Sequence, residues 1–190
     1  MRMALKILAV VVIGTVLGLA ATWFTVIRGS MGGDVADGPW RTSLSTGSTS
    51  GGMYLRASVA VHGLLALNRS ETIYYTATQD GGGAPLDGAC TYRLEGRDPP
   101  ARWWSITAYG VDDYLIPNAA GVYSASQQSV TRGPGGRFAV TVGRAKPVGD
   151  WIPVAAGRFS LTLRLYNPDP AVAADPAHAP LPSLAKERCA

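Results

Sequence analysis

Residues 7–27 form an apolar run without a charged side chain, and this run constrains the rest of the chain more than any other feature. Its length matches the about 20 residues that an α-helix needs to cross a hydrocarbon core of roughly 30 Å. Arg2 and Lys6 precede the run, and Arg28 follows it. Because basic residues on the N-terminal side favour a cytoplasmic N-terminus, the sequence predicts a single-pass signal-anchor with everything after residue 28 outside the cytoplasm.

A cleaved signal peptide is the alternative interpretation of the same run. Its apolar region usually has about 7–15 residues and ends at a small-residue cleavage site. Here the run is longer and ends in the bulky stretch Trp23-Phe24-Thr25-Val26-Ile27, and Gly18-Leu19-Ala20 is the best cleavage candidate. The anchor fits these features better, and both interpretations export the domain.

The charge of the exported part argues against nucleic-acid binding. The formal net charge is +4, but Arg2, Lys6 and Arg28 contribute three of the 17 basic residues. The remaining 14 basic residues face 13 acidic ones and are scattered along the sequence. Proteins that track phosphates concentrate their basic residues, so no nucleic-acid partner is predicted.

The two cysteines, Cys90 and Cys189, predict a disulfide. An even cysteine count in an exported domain favours this pairing over two buried thiols. Such a bond requires Cα atoms about 4.4–6.8 Å apart. It would tie the end of the chain to its middle.

Composition and periodicity predict an all-β domain behind the membrane helix. With 47% hydrophobic and 16% charged residues, the chain can bury a core. Residues 29–52 are rich in Gly, Ser and Thr and resemble a tether, in which Pro39-Trp40 could dock on the domain. Between Met53 and Asn68 lies one short helix, and its apolar residues fall on one side of a 3.6-residue period. These residues are Ala57, Ala60, Val61 and Leu64.

From residue 72 onward the hydrophobic period changes to two. Arg158–Tyr166 is the clearest case, because Phe159, Leu161, Leu163 and Leu165 alternate with polar residues. Strict alternation predicts strands with one face on a core. Further strands are predicted at 72–78, 91–94, 103–109 and 137–143, with weaker ones at 114–116 and 122–125. Short strands between Gly- and Pro-rich turns predict an antiparallel sandwich or jelly-roll-like domain over residues 53–190, with an irregular Pro/Ala-rich tail after Asn167.

No motif in the sequence identifies a catalytic residue, a metal site or a cofactor. His62 and His178 lack the Cys or carboxylate spacing of a metal site, and a structural or solvated role is expected for both. Only the separation in space of acidic side chains would decide whether a pair serves glycoside chemistry. The candidates are Glu71, Glu95, Asp112, Asp113 and Asp150.

Four polar and aromatic residues are the predicted ligand-binding set. Trp103 and Tyr109 share one face of a strand, and Arg164 and Tyr166 share the polar side of another. If those strands pair, an arginine lies beside an aromatic wall that could hold a sugar or a peptide. Ordinary sandwich packing is the alternative for the same residues.

Several motifs in order resemble a bacterial envelope family, the domain of unknown function 1214. The motifs are 92–96, 100–109, 114–118, 150–153 and 163–168. The resemblance spans roughly residues 53–190. It implies a β-sandwich domain in the periplasm, which in many relatives follows a second β-rich domain. Residues 29–52 are too few for that partner, so the domain is expected alone behind the helix.

The resemblance supplies no reaction, so three hypotheses stay open. The first is a membrane-anchored module in the cell inner membrane whose domain binds a carbohydrate, a peptide or an envelope protein. The second is an enzyme acting on an envelope carbohydrate or small molecule. The third is a structural subunit of an envelope complex.

Overall fold

A computed structural model of the protein describes residues 2–28, 35–48, 51–62 and 66–189. In chain order, the helices and strands of this part are α1 (Arg2–Arg28), β1 (Val35–Asp37), β2 (Trp40–Thr42), α2 (Met53–Val61), β3 (Thr72–Ala77), β4 (Cys90–Arg97), β5 (Ala101–Gly110), β6 (Ser124–Ser126), β7 (Arg137–Gly143), β8 (Asp150–Pro153), β9 (Phe159–Pro168), α3 (Pro170–Ala174) and β10 (Ser183–Cys189). The predicted strand at 114–116 is absent, and only Leu115 forms an isolated bridge, with Tyr109.

The N-terminal helix α1 is long and apolar enough to cross a membrane over 26 residues, Arg2–Ile27. Its membrane-length stretch is not buried against the rest of the protein. Only near its C-terminal end does α1 meet other described residues, where it packs against α2 and Val26 becomes buried. The predicted single apolar helix is therefore confirmed as a candidate membrane span.

Two sheets form the domain, as the alternation predicts. The first has six strands in the order β1-β2-β3-β9-β5-β6, and the second has four in the order β10-β4-β7-β8. The core residues come from the inward side of each strand, and Phe159, Leu161, Leu163 and Leu165 are all buried. From the second sheet, Tyr92, Leu94, Phe138, Val140 and Val142 fill the same core.

One strand pair departs from the predicted antiparallel pattern. At the edge of the second sheet, β8 runs parallel to β7, with Asp150 opposite Val140. Parallel neighbours normally need a crossover of a dozen or more residues. Here β8 starts only three positions back from the end of β7, a return of about 10 Å that a short loop can span. Gly149, with a φ of 102°, provides the left-handed backbone conformation in that loop.

Both sheets are extended by segments outside the predicted strands. Strands β1 and β2, within the stretch that the sequence assigns to the tether, form a hairpin beside β3. Its Trp40 is buried and donates a hydrogen bond from Nε1 to the Pro182 carbonyl at 2.7 Å. The tail after α3 is not wholly irregular, because β10 pairs along β4.

The predicted disulfide between Cys90 and Cys189 is present. The two Cα atoms lie 3.8 Å apart, which is shorter than the predicted interval. The cysteines are direct partners in the adjacent antiparallel strands β4 and β10, so the strand register brings them together. The bond thus fastens the edge strand β10 to the sheet.

The short helix α2 is present, but its apolar side is not the buried one. It ends at Val61, and Leu64 lies outside the described residues. Val61 is 55% exposed, whereas Ser58 is completely buried. The reason is that α2 packs against α1 and turns its Ser58 side inward.

Candidate functional site

The outer face of the six-stranded sheet, opposite the core, carries the predicted ligand-binding residues. The register between β5 and β9 places Trp103 opposite Tyr166 and Ser105 opposite Arg164. On the other side of β9, Tyr74 of β3 lies opposite Arg164. We call the group Tyr74, Trp103, Tyr109, Arg164 and Tyr166 the polar-aromatic face.

Arg164 lies in the middle of this face and contacts two aromatic rings. Its Nη2 donates a hydrogen bond to the Tyr109 hydroxyl at 2.8 Å. The guanidinium carbon lies 5.3 Å from the Tyr109 ring centroid and 5.9 Å from that of Tyr74. Cation–π attraction operates within about 6 Å, so both rings stabilise the positive charge.

The charge of Arg164 has no acidic partner among the residues that the structure describes. None of the ion pairs found there includes Arg164, although its side chain is half-buried. A guanidinium has five N–H donors in a planar fork that suits a carboxylate. The arrangement therefore leaves donors that an anionic group could use.

The second aromatic pair lies beside the arginine. The Trp103 and Tyr166 rings have centroids 5.2 Å apart and an interplanar angle of 53°. Between this pair and the Arg164–Tyr109 pair, Ser105 and Thr107 line the sheet at 6% and 8% exposure. The face thus combines aromatic surface and one positive charge, and the residues between them are buried.

Residues near the end of α2 and before β3 contact the face or its surroundings. The Leu67 backbone N–H donates to the Tyr74 hydroxyl at 3.4 Å. Earlier in the segment, His62 Nε2 lies 3.8 Å from Asp113 Oδ2, in the turn after β5. His62 Nδ1 is 2.8 Å from the Ser58 carbonyl oxygen, to which it can donate. The expected structural role of His62 agrees with these contacts.

Tyr74 is the member of the face that the sequence analysis did not single out as a ligand-binding residue. Its place on the polar side of the alternation in β3 was the available signal. What the sequence lacked was the neighbour relation between β3 and β9, which follows from sheet topology.

Two of the acidic residues considered for catalysis, Glu95 and Asp150, lie on the second sheet, away from the face. Glu95 accepts a hydrogen bond from Arg93 Nε at 2.6 Å on the second sheet. Asp150, also on the second sheet, accepts one from the Thr131 backbone N–H at 2.6 Å. In the described part of the chain, no group of three or more His, Cys, Asp or Glu side chains could hold a metal ion.

A cavity lies away from the predicted residues. This shallow cleft of about 530 Å³ is lined by Arg69, Ser70, Pro168, Pro170, Ala173 and Ala174. It lies near the end of β9, next to α3, and contains none of the polar-aromatic residues. The lining of the cleft includes no aromatic ring, so the polar-aromatic face is the better candidate for a site.

A polar cluster under β5 positions the strand that carries Trp103 and Tyr109. Asp98 Oδ1 accepts hydrogen bonds from Trp104 Nε1 at 2.9 Å and from Arg132 Nη2 at 2.8 Å, and Oδ2 accepts one from Arg132 Nε at 3.0 Å. The Arg132 hydrogen bonds hold the pKa of the Asp98 carboxyl below its usual range, against the opposing effect of partial burial. Trp104 in turn stacks on Phe138, with ring centroids 4.8 Å apart.

Sequence comparison identifies a family and no characterised relative. Residues 71–170 match the family described as protein of unknown function (DUF1214), as the motifs predicted, over a shorter range than expected. No curated protein matches the chain.

Solved structures resemble the fold. The crystal structure of the VPA0106 protein from Vibrio parahaemolyticus aligns with a TM-score of 0.60 at 20% identity, over 71% of this chain and 35% of that one. An uncharacterised protein from Burkholderia cenocepacia aligns with a TM-score of 0.43 at 18% identity, over 62% of this chain and 29% of that one. The chain thus spans about a third of the length of these proteins, and the first likeness shows a shared fold.

Proposed function

We propose, on the premise that this chain belongs to the DUF1214 family of proteins of unknown function, that it is a membrane-anchored binding protein of the cell envelope. In this proposal α1 is an uncleaved signal-anchor in the inner membrane, and the β-domain lies in the periplasm. Arg2 and Lys6 before the apolar run support this orientation.

The ligand would bind on the polar-aromatic face through Trp103, Tyr109, Arg164 and Tyr166. The observation that carries this proposal is the half-buried Arg164, held by a tyrosine hydroxyl and flanked by two rings without a carboxylate partner in the described chain. A charged group taken from water is costly without a partner. A ligand with a carboxylate would supply that partner.

The aromatic pair indicates that the ligand also has an apolar surface. Trp103 and Tyr166 present ring surface next to Arg164, and aromatic faces suit the apolar faces of sugar rings and peptide side chains. We therefore infer an acidic sugar or a peptide with a free carboxylate as the ligand class. A binding module fits better than an enzyme, because Glu95 and Asp150 are engaged on the second sheet.

Calorimetry with matched probes tests the proposal on the full chain in detergent. N-acetylmuramic acid and N-acetylglucosamine form one pair that differs in a carboxylate-bearing ether, and trialanine and its C-terminal amide form another. We expect the acidic member of at least one pair to bind more tightly. An Arg164→Gln variant should lose this preference, because it removes the charge and retains most of the side-chain length.

The control variant is Arg93→Gln, which removes an arginine from the second sheet, where it already pairs with Glu95. It should bind the probes like the wild type. Equal binding of acidic and neutral probes by the wild type, or an unchanged preference in Arg164→Gln, would contradict the proposed role of Arg164.

A further inference from the structure

Helix α2 turns an apolar side away from the domain. Met53, Tyr54 and Val61 are 72%, 47% and 55% exposed. At about 100° per residue these positions fall within one arc of the helix, and the exposed Ala60 lies beside them. The opposite side carries the half-buried Leu55 and Val59, and the buried Ser58 lies between the two sides. Helices of soluble domains normally keep apolar residues on the buried side only, whereas α2 also has them on its exposed side.

The turn after β5 exposes a second set of apolar side chains. Val111, Tyr114 and Leu115 are 81%, 75% and 44% exposed. The turn is defined by its backbone, because the Gly110 N–H donates to the Tyr114 carbonyl at 2.9 Å and Asp113 has a φ of 63°. The apolar residues are therefore held outward by an ordered turn.

These two sets adjoin each other and the end of the membrane helix. The His62–Asp113 contact at 3.8 Å joins the end of α2 to the turn. At the other side, α2 packs against the C-terminal part of α1, where Val26 is buried. Trp23, one turn earlier in α1, is 69% exposed, as is typical of tryptophan at a membrane–water interface.

We infer that α2 and the turn after β5 form a surface that inserts into the lipid interface next to α1. The occupant is the bilayer, because the surface continues directly from the helix that is long and apolar enough to span it. An amphipathic helix lying in the interface buries its apolar side about 5–10 Å into the boundary between headgroups and acyl chains. The domain would then rest on the membrane and not hang from a free tether.

This surface also bears on access to the proposed binding site. Leu67, five positions after His62 in the sequence, donates its backbone N–H to the Tyr74 hydroxyl of the polar-aromatic face. A domain docked through α2 would hold that face near the membrane surface. The inference rests on α1 being the anchor, as in the proposed function, but not on ligand binding by Arg164.

Site-specific fluorescence quenching tests this inference in the full chain in nanodiscs of phosphatidylethanolamine and phosphatidylglycerol. Both native cysteines are in the disulfide, so single cysteines introduced as Val111→Cys and Val61→Cys can be labelled with NBD without reductant. We expect the fluorescence of both labels to be quenched by lipids that carry a nitroxide near the headgroup. Iodide in the aqueous phase should not quench it.

Two further labels make the outcome specific. Ala174→Cys lies in α3, beyond Pro168, which pairs with the start of β5, whereas Val111 follows the end of β5. The ten residues of β5 separate these positions by about 30 Å, so the Ala174 label should respond to iodide only. Gly14→Cys, whose Cβ has no neighbour within 4 Å, should respond to lipid quenchers deep in the bilayer.

Each remaining outcome counts against the inference. If the Val111 and Val61 labels behave like the Ala174 label while the Gly14 label is lipid-quenched, the domain stands away from the bilayer and only the anchor is supported. Protection from both quenchers would identify a protein, and not lipid, on this surface. Failure of the Gly14 label to respond to lipid would reject the anchor and this inference together, while the calorimetric test of Arg164 would remain separate.

Discussion

Replacing Asp98 with alanine should destabilise the domain through a single buried group. Asp98 accepts a hydrogen bond from Trp104 Nε1 and two from Arg132. Trp104 is completely buried and stacks on Phe138 in the core. Without the carboxylate, the indole N–H loses its acceptor, and the connection between β4 and β5 loses its link to Arg132.

The expected loss follows from the exposure of each partner. An unsatisfied buried donor costs about 1–3 kcal/mol. The Asp98 and Arg132 side chains are 35% and 32% exposed, so water can replace much of their interaction, and an ion pair of this kind contributes about 0–1 kcal/mol. We therefore expect Asp98→Ala to lower the free energy of unfolding by about 1–4 kcal/mol.

Urea unfolding of the full chain in detergent, followed by tryptophan fluorescence, measures this loss. The control is Asp169→Ala, because Asp169 is exposed and its side chain caps no hydrogen bond at α3. It should change the stability by less than about 0.5 kcal/mol. If the wild type and Asp98→Ala unfold at the same urea concentration with the same m-value, the role given to the Trp104 hydrogen bond is refuted.

The same variant gives a pH test. The folded-state pKa of Asp98 lies below the ordinary 3.8, so its ionised form stabilises the fold fully above 3.8, and this contribution disappears as the pH falls through the folded-state value. The stability difference between wild type and Asp98→Ala should therefore narrow when the pH is lowered from neutral to below 3.8. A difference that widens toward acid would contradict this assignment.

Three further predictions concern the disulfide, the glycine contacts and the topology. Reducing the Cys90–Cys189 bond, which spans a sequence separation of 99, should lower the free energy of unfolding by about 4–5 kcal/mol in urea titrations with and without reductant, and an unchanged midpoint would contradict it. Gly88→Ala should lower the free energy of unfolding by about 1–3 kcal/mol or more, because a Cβ there would lie 1.7 Å from the Ala155 carbonyl oxygen. Gly133→Ala should leave the free energy of unfolding nearly unchanged, because the nearest atom to its Cβ is 3.8 Å away. A C-terminal alkaline phosphatase fusion should be active, because the basic residues precede the apolar run, and activity of a cytoplasm-specific reporter instead would overturn the periplasmic assignment.

Local patterns in the sequence determined the elements of this fold. The charge-free run at 7–27 identifies the membrane-length helix, because crossing a bilayer depends on length and composition alone. The alternation in β9 identifies a strand and its core side, because successive side chains point to opposite faces. The disulfide follows from there being two cysteines and one pairing.

Sheet topology decided how the candidate site is composed. Trp103 and Tyr109 share a side of β5 by alternation alone, but their closeness to Arg164 depends on β9 lying between β3 and β5. The same arrangement brings Tyr74 to the arginine. Strand order reflects long-range pairing of residues far apart in the sequence, which a period of two does not encode.

Helix α2 shows most clearly the difference between what a local sequence pattern determines and what tertiary contacts determine. The period of 3.6 residues correctly predicts a helix, because this pattern is local. Which side faces the domain is set by the neighbours, and here the contact with α1 and the His62–Asp113 pair leave Val61 outward and bury Ser58. An apolar side needs only a surface away from water, and the tertiary structure decides whether the protein core or another surface provides it.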